Sequence, residues 1–162
     1  MSLRDDPKLE VIALLNKLGG VTFPADTLTV SAPVALTDDP TGKNTAVRIT
    51  ALANSTYKGD GIYKYDRIDL GNMVRLFTYP VPLSLATTTR LYEAIDRLAD
   101  LIGIGFTTAD VEDAAFVEGE SYTTVRLTAK PGSYRFIGAG DLRLRGLPSI
   151  RSAFISDTIL WS

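Results

Sequence analysis

Residues 45–51 read Thr-Ala-Val-Arg-Ile-Thr-Ala and residues 123–129 read Thr-Thr-Val-Arg-Leu-Thr-Ala, so one strand pattern is written twice in the chain. The correspondence extends to both sides. Each copy follows an amphipathic stretch, a Gly-rich break and a Phe with an Asp shortly after it, Phe23 with Asp26 and Phe106 with Asp110. Each is followed by Gly-x-Gly, at Gly59 and Gly61 and again at Gly138 and Gly140. Leu142, Arg143 and Leu144 then answer Tyr63, Lys64 and Tyr65, at an offset one residue longer than that between the strands. A repeated unit of this size cannot bury its apolar faces alone, whereas two packed together can. The order reads as an internal duplication.

The local signals place the elements. Asp6 before Pro7 is a helix start, because the carboxylate accepts from free N–H groups and proline fixes the first helical φ. Val11, Leu14, Leu15 and Leu18 recur at helical spacing until Gly19-Gly20, which predicts a helix from about Pro7 to Leu18. A short strand is expected at Leu28 to Val30. A polar loop, 37–44, leads into the alternating strand Val47, Ile49, Ala51, and a turn near Gly59 closes a hairpin through Tyr63 and Tyr65. Pro80 and Pro82 make 71–86 an extended connector. A second helix, capped by Thr87, Thr88 or Thr89, carries the stripe Leu91, Ala94, Ile95, Leu98, Leu101 and Ile102 up to Gly103. The expected architecture is α+β within a single domain. It consists of two helix-plus-β-hairpin units, 7–70 and 87–146, with both helices on one mainly antiparallel sheet, and a C-terminal segment, 147–162.

Composition narrows the chemistry. The chain has 162 residues, no histidine and no cysteine. Ser-His-Asp and Cys-His nucleophile systems, Cys or His zinc sites and disulfides are therefore closed to it. What remains is carboxylate, lysine and tyrosine chemistry, and no enzyme activity is expected. A net charge of −2 supplies no overall basic field, so direct nucleic-acid binding is not expected. No apolar run approaches a membrane span and the N-terminus lacks a signal pattern, which predicts synthesis in a cytoplasm and no membrane partner.

The individual motifs have simpler readings than catalysis. Asp38, Asp39, Gly42 and Asn44 offer oxygens for calcium, but an Asp-Pro-Thr-Gly turn explains them. Gly138-Ala139-Gly140 opens like a dinucleotide loop, yet the residues after it alternate like a strand, so a hairpin turn is expected. Tyr57, Tyr63, Tyr65 and Arg67 fit cross-strand packing better than a stacking platform for nucleic acid, because Asp60, Asp66 and Asp69 oppose phosphate. Asp66 with Asp69 is a distant candidate for a carboxylate pair. No catalytic, cofactor or metal residues are assigned.

Charge is unevenly spread. Leu91 to Glu120 holds eight acidic residues against Arg97 alone, and Ser121 to Ser162 holds six basic residues against Asp141 and Asp157. The two stretches could form solvated faces or complementary surfaces between copies of the protein. The C-terminal residues Phe154, Ile155, Ile159, Leu160 and Trp161 are apolar enough to require burial, on their own domain or on a neighbour. Together with Arg143 and Arg145 they form the expected assembly interface.

Leu14-Leu15-Asn16, Thr29 to Pro33, Asn44 to Ala51, Tyr57-Lys58-Gly59 and Tyr65 to Leu70, in this order, resemble uncharacterised virion structural proteins of tailed bacteriophages. The resemblance covers 8–70 most clearly and the second copy more weakly. It implies a non-enzymatic part of the head, neck or tail of a virion, made in the host cytoplasm, whose partners are other virion proteins and copies of itself. It carries over no cofactor and no catalytic residue. The competing expectation is a monomeric module that binds carbohydrate or peptide through Tyr63, Tyr65 and Trp161.

Overall fold

The computed structural model describes residues 6–85 and 88–146. Helix α1 spans Pro7–Gly19, with Asp6 accepting from the Lys8 N–H and Gly20 closing it at φ 65°. It buries Val11 and Ile12. A turn of 3-10 helix, Ala25–Thr27, leads to β1 (Leu28–Val30), β2 (Val34–Ala35), β3 (Thr45–Ala51) and β4 (Asp60–Tyr65). Strand β3 is the spine of this sheet: β1 pairs with its C-terminal half, β2 with its N-terminal end, and β4 runs along its other edge, all antiparallel. Val47 and Ile49 point inward against α1, and Arg48 points out, as period-two alternation requires.

The second unit follows the same pairing plan. Helix α3 (Leu91–Ile102) lies over a sheet of β6 (Val81–Pro82), β7 (Phe116–Glu118), β8 (Thr123–Thr128) and β10 (Ala139–Arg145), in the order β6, β10, β8, β7. The spine is β8. Val111 bridges to Ala129 at its C-terminal end, β7 pairs with its N-terminal half, and β10 runs antiparallel along the other edge. Val47 sits opposite Tyr63 and Val125 opposite Leu142, which is the correspondence that the repeated sequence motif gives. Leu98, Leu127, Leu142 and Leu144 are at most 1% exposed, and burying each of them is worth roughly 1.5–3 kcal/mol.

The α+β class holds, but the helices do not share a sheet. Val11, Ile12, Val30, Val47, Ile49 and Tyr65 form one core, and the α3 unit has its own, larger core. The connector also differs from the extended segment expected. It opens with helix α2 (Leu70–Val74), capped by Asp69, which accepts from the Asn72 N–H. It becomes extended only at β6, which pairs parallel with β10 and leaves Pro82 on a sheet edge. Nor does Thr88 or Thr89 cap α3, and Thr87 lies outside the described residues. Glu93 accepts from the Thr89 and Arg90 N–H groups, and Asp113, from a distant loop, accepts from the Tyr92 N–H and the Arg90 side chain.

Among the described residues, the units are joined through 133–137. Strand β9 (Phe136–Ile137) pairs parallel with β5 (Ile68–Asp69), and the Ile68 N–H donates to the Arg135 carbonyl. Tyr134 packs on the first core while Phe136, 2% exposed, belongs to the second.

Candidate functional site

Two regions of the surface carry concentrated polar chemistry. The first is the groove between the units, a cavity of about 400 Å³ walled by α1, the chain around Tyr65 to Ile68, the Gly103–Gly105 turn and 134–136. Asp110 is fully buried beneath it. Its carboxylate accepts from the Thr107 N–H and hydroxyl, from the Ser133 hydroxyl, and from the Arg135 guanidinium, with which it forms an ion pair. Arg135 also reaches Glu10 on α1 at 3.3 Å. Partial burial raises the Glu10 carboxyl above its ordinary value, and nearby Arg135 only partly offsets this. Arg67, 6% exposed, donates to the Thr45 hydroxyl at 2.8 Å and, across the joint, to the Ser133 carbonyl at 2.9 Å. The Tyr65 hydroxyl donates to the Tyr134 carbonyl, and burial pushes its pKa up to about 12. Tyr134 in turn donates to the Ser31 carbonyl. These polar groups are tied to one another across the joint, an arrangement suited to fastening two units.

The second region is the outer face of the β6-β10-β8-β7 sheet. Alternation along β8 and β10 sends Val125, Leu127, Leu142 and Leu144 inward and Thr124, Arg126, Asp141, Arg143 and Arg145 outward. Arg126 pairs with Asp141 at 3.1 Å, as Arg48 pairs with Asp60 on the first unit at 3.2 Å. Arg143 lies over the Tyr122 ring, 5.5 Å from its centroid, and donates to the Thr78 carbonyl at 2.9 Å. That bond holds the Arg75–Tyr79 stretch beside the sheet, where Leu76 is 79% and Tyr79 81% exposed. Val117, on the edge strand in the same cross-strand row, is 64% exposed.

The structure thus brings Arg143 and Arg145 onto one exposed face. Phe154, Ile155, Ile159, Leu160 and Trp161 lie outside the described residues. The other candidates are dispersed into structural pairings. Asp39 of the 37–44 loop accepts from Lys64 and Thr41, and Lys43 of the same loop pairs with Asp66 at 2.7 Å, so the loop is tied by ion pairs to β4 and the residue after it. Asp69 caps α2, so Asp66 and Asp69 serve different elements. Tyr63 and Tyr65 stack at 6.0 Å, but Tyr65 is only 6% exposed and offers no open ring face. Gly138 has φ 77° at the mouth of the β8–β10 hairpin, as a turn requires.

Sequence reasoning missed the Asp110, Arg135 and Glu10 cluster. The repeat aligned Asp110 with Asp26, which is exposed in a 3-10 turn, and so hid the difference between them. The local signal was Thr107 three residues before Asp110, a side-chain turn that points the carboxylate inward.

A family model described as a family of unknown function (DUF7941) matches residues 1–160. The chain belongs to the DUF7941 family. Neither a curated protein nor a solved structure matches this DUF7941 chain significantly. Its chemistry is therefore read from its own side chains.

Proposed function

We propose that this DUF7941 protein is a non-enzymatic structural component of a tailed bacteriophage virion, made in the host cytoplasm and working through contacts with other virion proteins and with copies of itself. The observation that carries the reading is the outer face of the second sheet, where arginines stand among the exposed Leu76, Tyr79, Tyr122 and Val117. Arginine and tyrosine set among apolar side chains are the residue types that protein interfaces concentrate. The resemblance of 8–70 to virion proteins supplies the particle. The shared pairing plan of the two units supports an origin by internal duplication.

A second reading has one observation in its favour. Phe23 and Tyr57, in edge contact at 4.7 Å, border a cavity of about 260 Å³ with Ile49, Gly61 and Tyr63. A monomeric carbohydrate- or peptide-binding module would use this aromatic groove. Quantitative mass spectrometry of density-purified particles, from the source of the sequence, separates the two. A virion component copurifies in fixed ratio to the other particle proteins. Recovery only in the unassembled fraction would overturn the reading.

A further inference from the structure

Helix α3 and the arginine-bearing face lie on opposite sides of one two-layer unit. Leu91, Ala94, Ile95 and Leu98 of the helix share a core with Val125, Leu127, Leu142 and Leu144 of the sheet, so the outer helix face points away from the outer sheet face. On the helix, Glu93, Asp96 and Asp100 recur at three- and four-residue spacing, with Arg97 and with Leu101, 52% exposed. On the sheet side, among the described outward-facing residues, Arg75, Arg126, Arg143 and Arg145 stand with one acid, Asp141. One side of the unit is acidic around an exposed leucine. The other is basic around exposed Leu76 and Tyr79.

We propose that the outer face of the β6-β10-β8-β7 sheet receives the outer face of α3 from a second copy of this chain. This contact rests on the proposed assembly role and adds its partner and polarity. Charge complementarity selects the occupant. A second arginine face would place guanidinium against guanidinium, and a second acidic helix would repel the first, so two-fold self-pairing of either face is disfavoured. Acid on base leaves each copy with one face used and the other free. Because the two faces point in opposite directions, every added copy offers the next site. Such a contact is heterologous, and it closes into a ring or runs on as a filament according to the rotation per copy. Leu101 of one copy meets the apolar surroundings of Arg143 on the next, which gives the charged contact a dry centre.

The test is a pair of charge-reversed full-length chains, Arg75→Glu with Arg145→Glu and Asp96→Arg with Asp100→Arg, studied by sedimentation velocity and mass photometry. All four residues are exposed, and melting curves check that both variants fold. The wild type should form species beyond the dimer at low salt. These should dissociate between about 0.1 and about 1 M salt, as the Debye length falls from about 10 to about 3 Å. Each variant alone should be monomeric, and an equimolar mixture should associate again, because each inverted face then meets an opposite charge. The proposal is overturned if either variant assembles like the wild type, if the mixture stays monomeric, or if the wild type is a monomer or stops at a dimer. Should a variant fail to fold, the salt dependence and stoichiometry of the wild type still decide. A monomeric chain that nevertheless copurifies with particles would refute this interface alone. Charge-dependent assembly of a chain missing from particles would refute the particle role alone.

Discussion

The loss of the Asp110 carboxylate should be costly to this protein. Asp110 is fully buried and holds Thr107, Ser133 and Arg135 at once. Removing one partner of a buried ion pair is expensive because the other charge is left without compensation. Asp110→Ala should therefore destabilise the protein by about 3–5 kcal/mol in urea unfolding, and a cost below that of an exposed pair would show that Glu10 alone neutralises Arg135. Glu10 makes a different prediction, set by pH. Its folded pKa lies above the ordinary 4.5 because burial penalises the charge. The folded state thus holds the proton more tightly than the unfolded state, and stability from this group falls as pH rises through that window. Glu10→Gln removes the ionisation. Comparing melts of the two proteins from acid to neutral pH, the balance should move toward Glu10→Gln. A shift toward the wild type would mean that the Arg135 contact outweighs burial.

At the scale of elements, much of the chain was legible. Asp6-Pro7 and Gly20 bound α1, and Leu28–Val30 and Thr45–Ala51 form strands where their alternation places them. What failed were elements made by tertiary contact. Nothing local marks Leu70–Val74 as helical except its Asp69 cap, and the helix exists because Leu70 and Met73 reach the second core. Only half of the α3 cap was hidden for the same reason, since Asp113 arrives from another part of the chain, whereas Glu93, three residues after Arg90, was a local signal. The repeated glycines show how one pattern can serve two purposes. Gly59 and Gly138 both take positive φ, 94° and 77°, as the hairpin turns need. Gly61 faces open space, but a Cβ at Gly140 would lie 2.5 Å from a Val74 methyl and 3.0 Å from the Gly71 Cα, where α2 crosses the strand. Gly140→Ala should cost about 1–3 kcal/mol, the range of an overpacked core. Gly61→Ala should be near neutral or slightly stabilising in the same thermal melts. Equal effects would mean that α2 can withdraw from β10.

At the scale of the whole molecule, the repeated strand pattern left open how its two copies pack. A pattern of inward and outward residues states which face of a strand is buried, not which helix or strand does the burying. Two cores, each under its own helix, satisfy the same alternation as one shared sheet. The joint was illegible because its residues are polar and far apart in sequence: Arg67, Ser133, Tyr65, Tyr134, Arg135 and Asp110. Yet it decides how the molecule unfolds. Adjacent side chains of 134–136 feed both cores, and Arg67 ties Thr45 of the first unit to Ser133 of the second. Opening the joint would exchange the cross-joint bonds of Arg67, Tyr65 and Tyr134 for bonds to water, at about 0.5–1.5 kcal/mol net each, and would pull the 134–136 segment out of one core or the other. The intact chain should therefore unfold in one calorimetric transition whose enthalpy matches the van't Hoff value. Arg67→Ala removes both links while leaving the apolar cores complete. That variant should unfold in two steps, the smaller α1 unit first, because its core holds fewer buried side chains than that of the α3 unit. If Arg67→Ala still melts as a single transition, cooperativity is carried by Tyr134, Phe136 and the β5–β9 pair, and the guanidinium is only one of several fasteners.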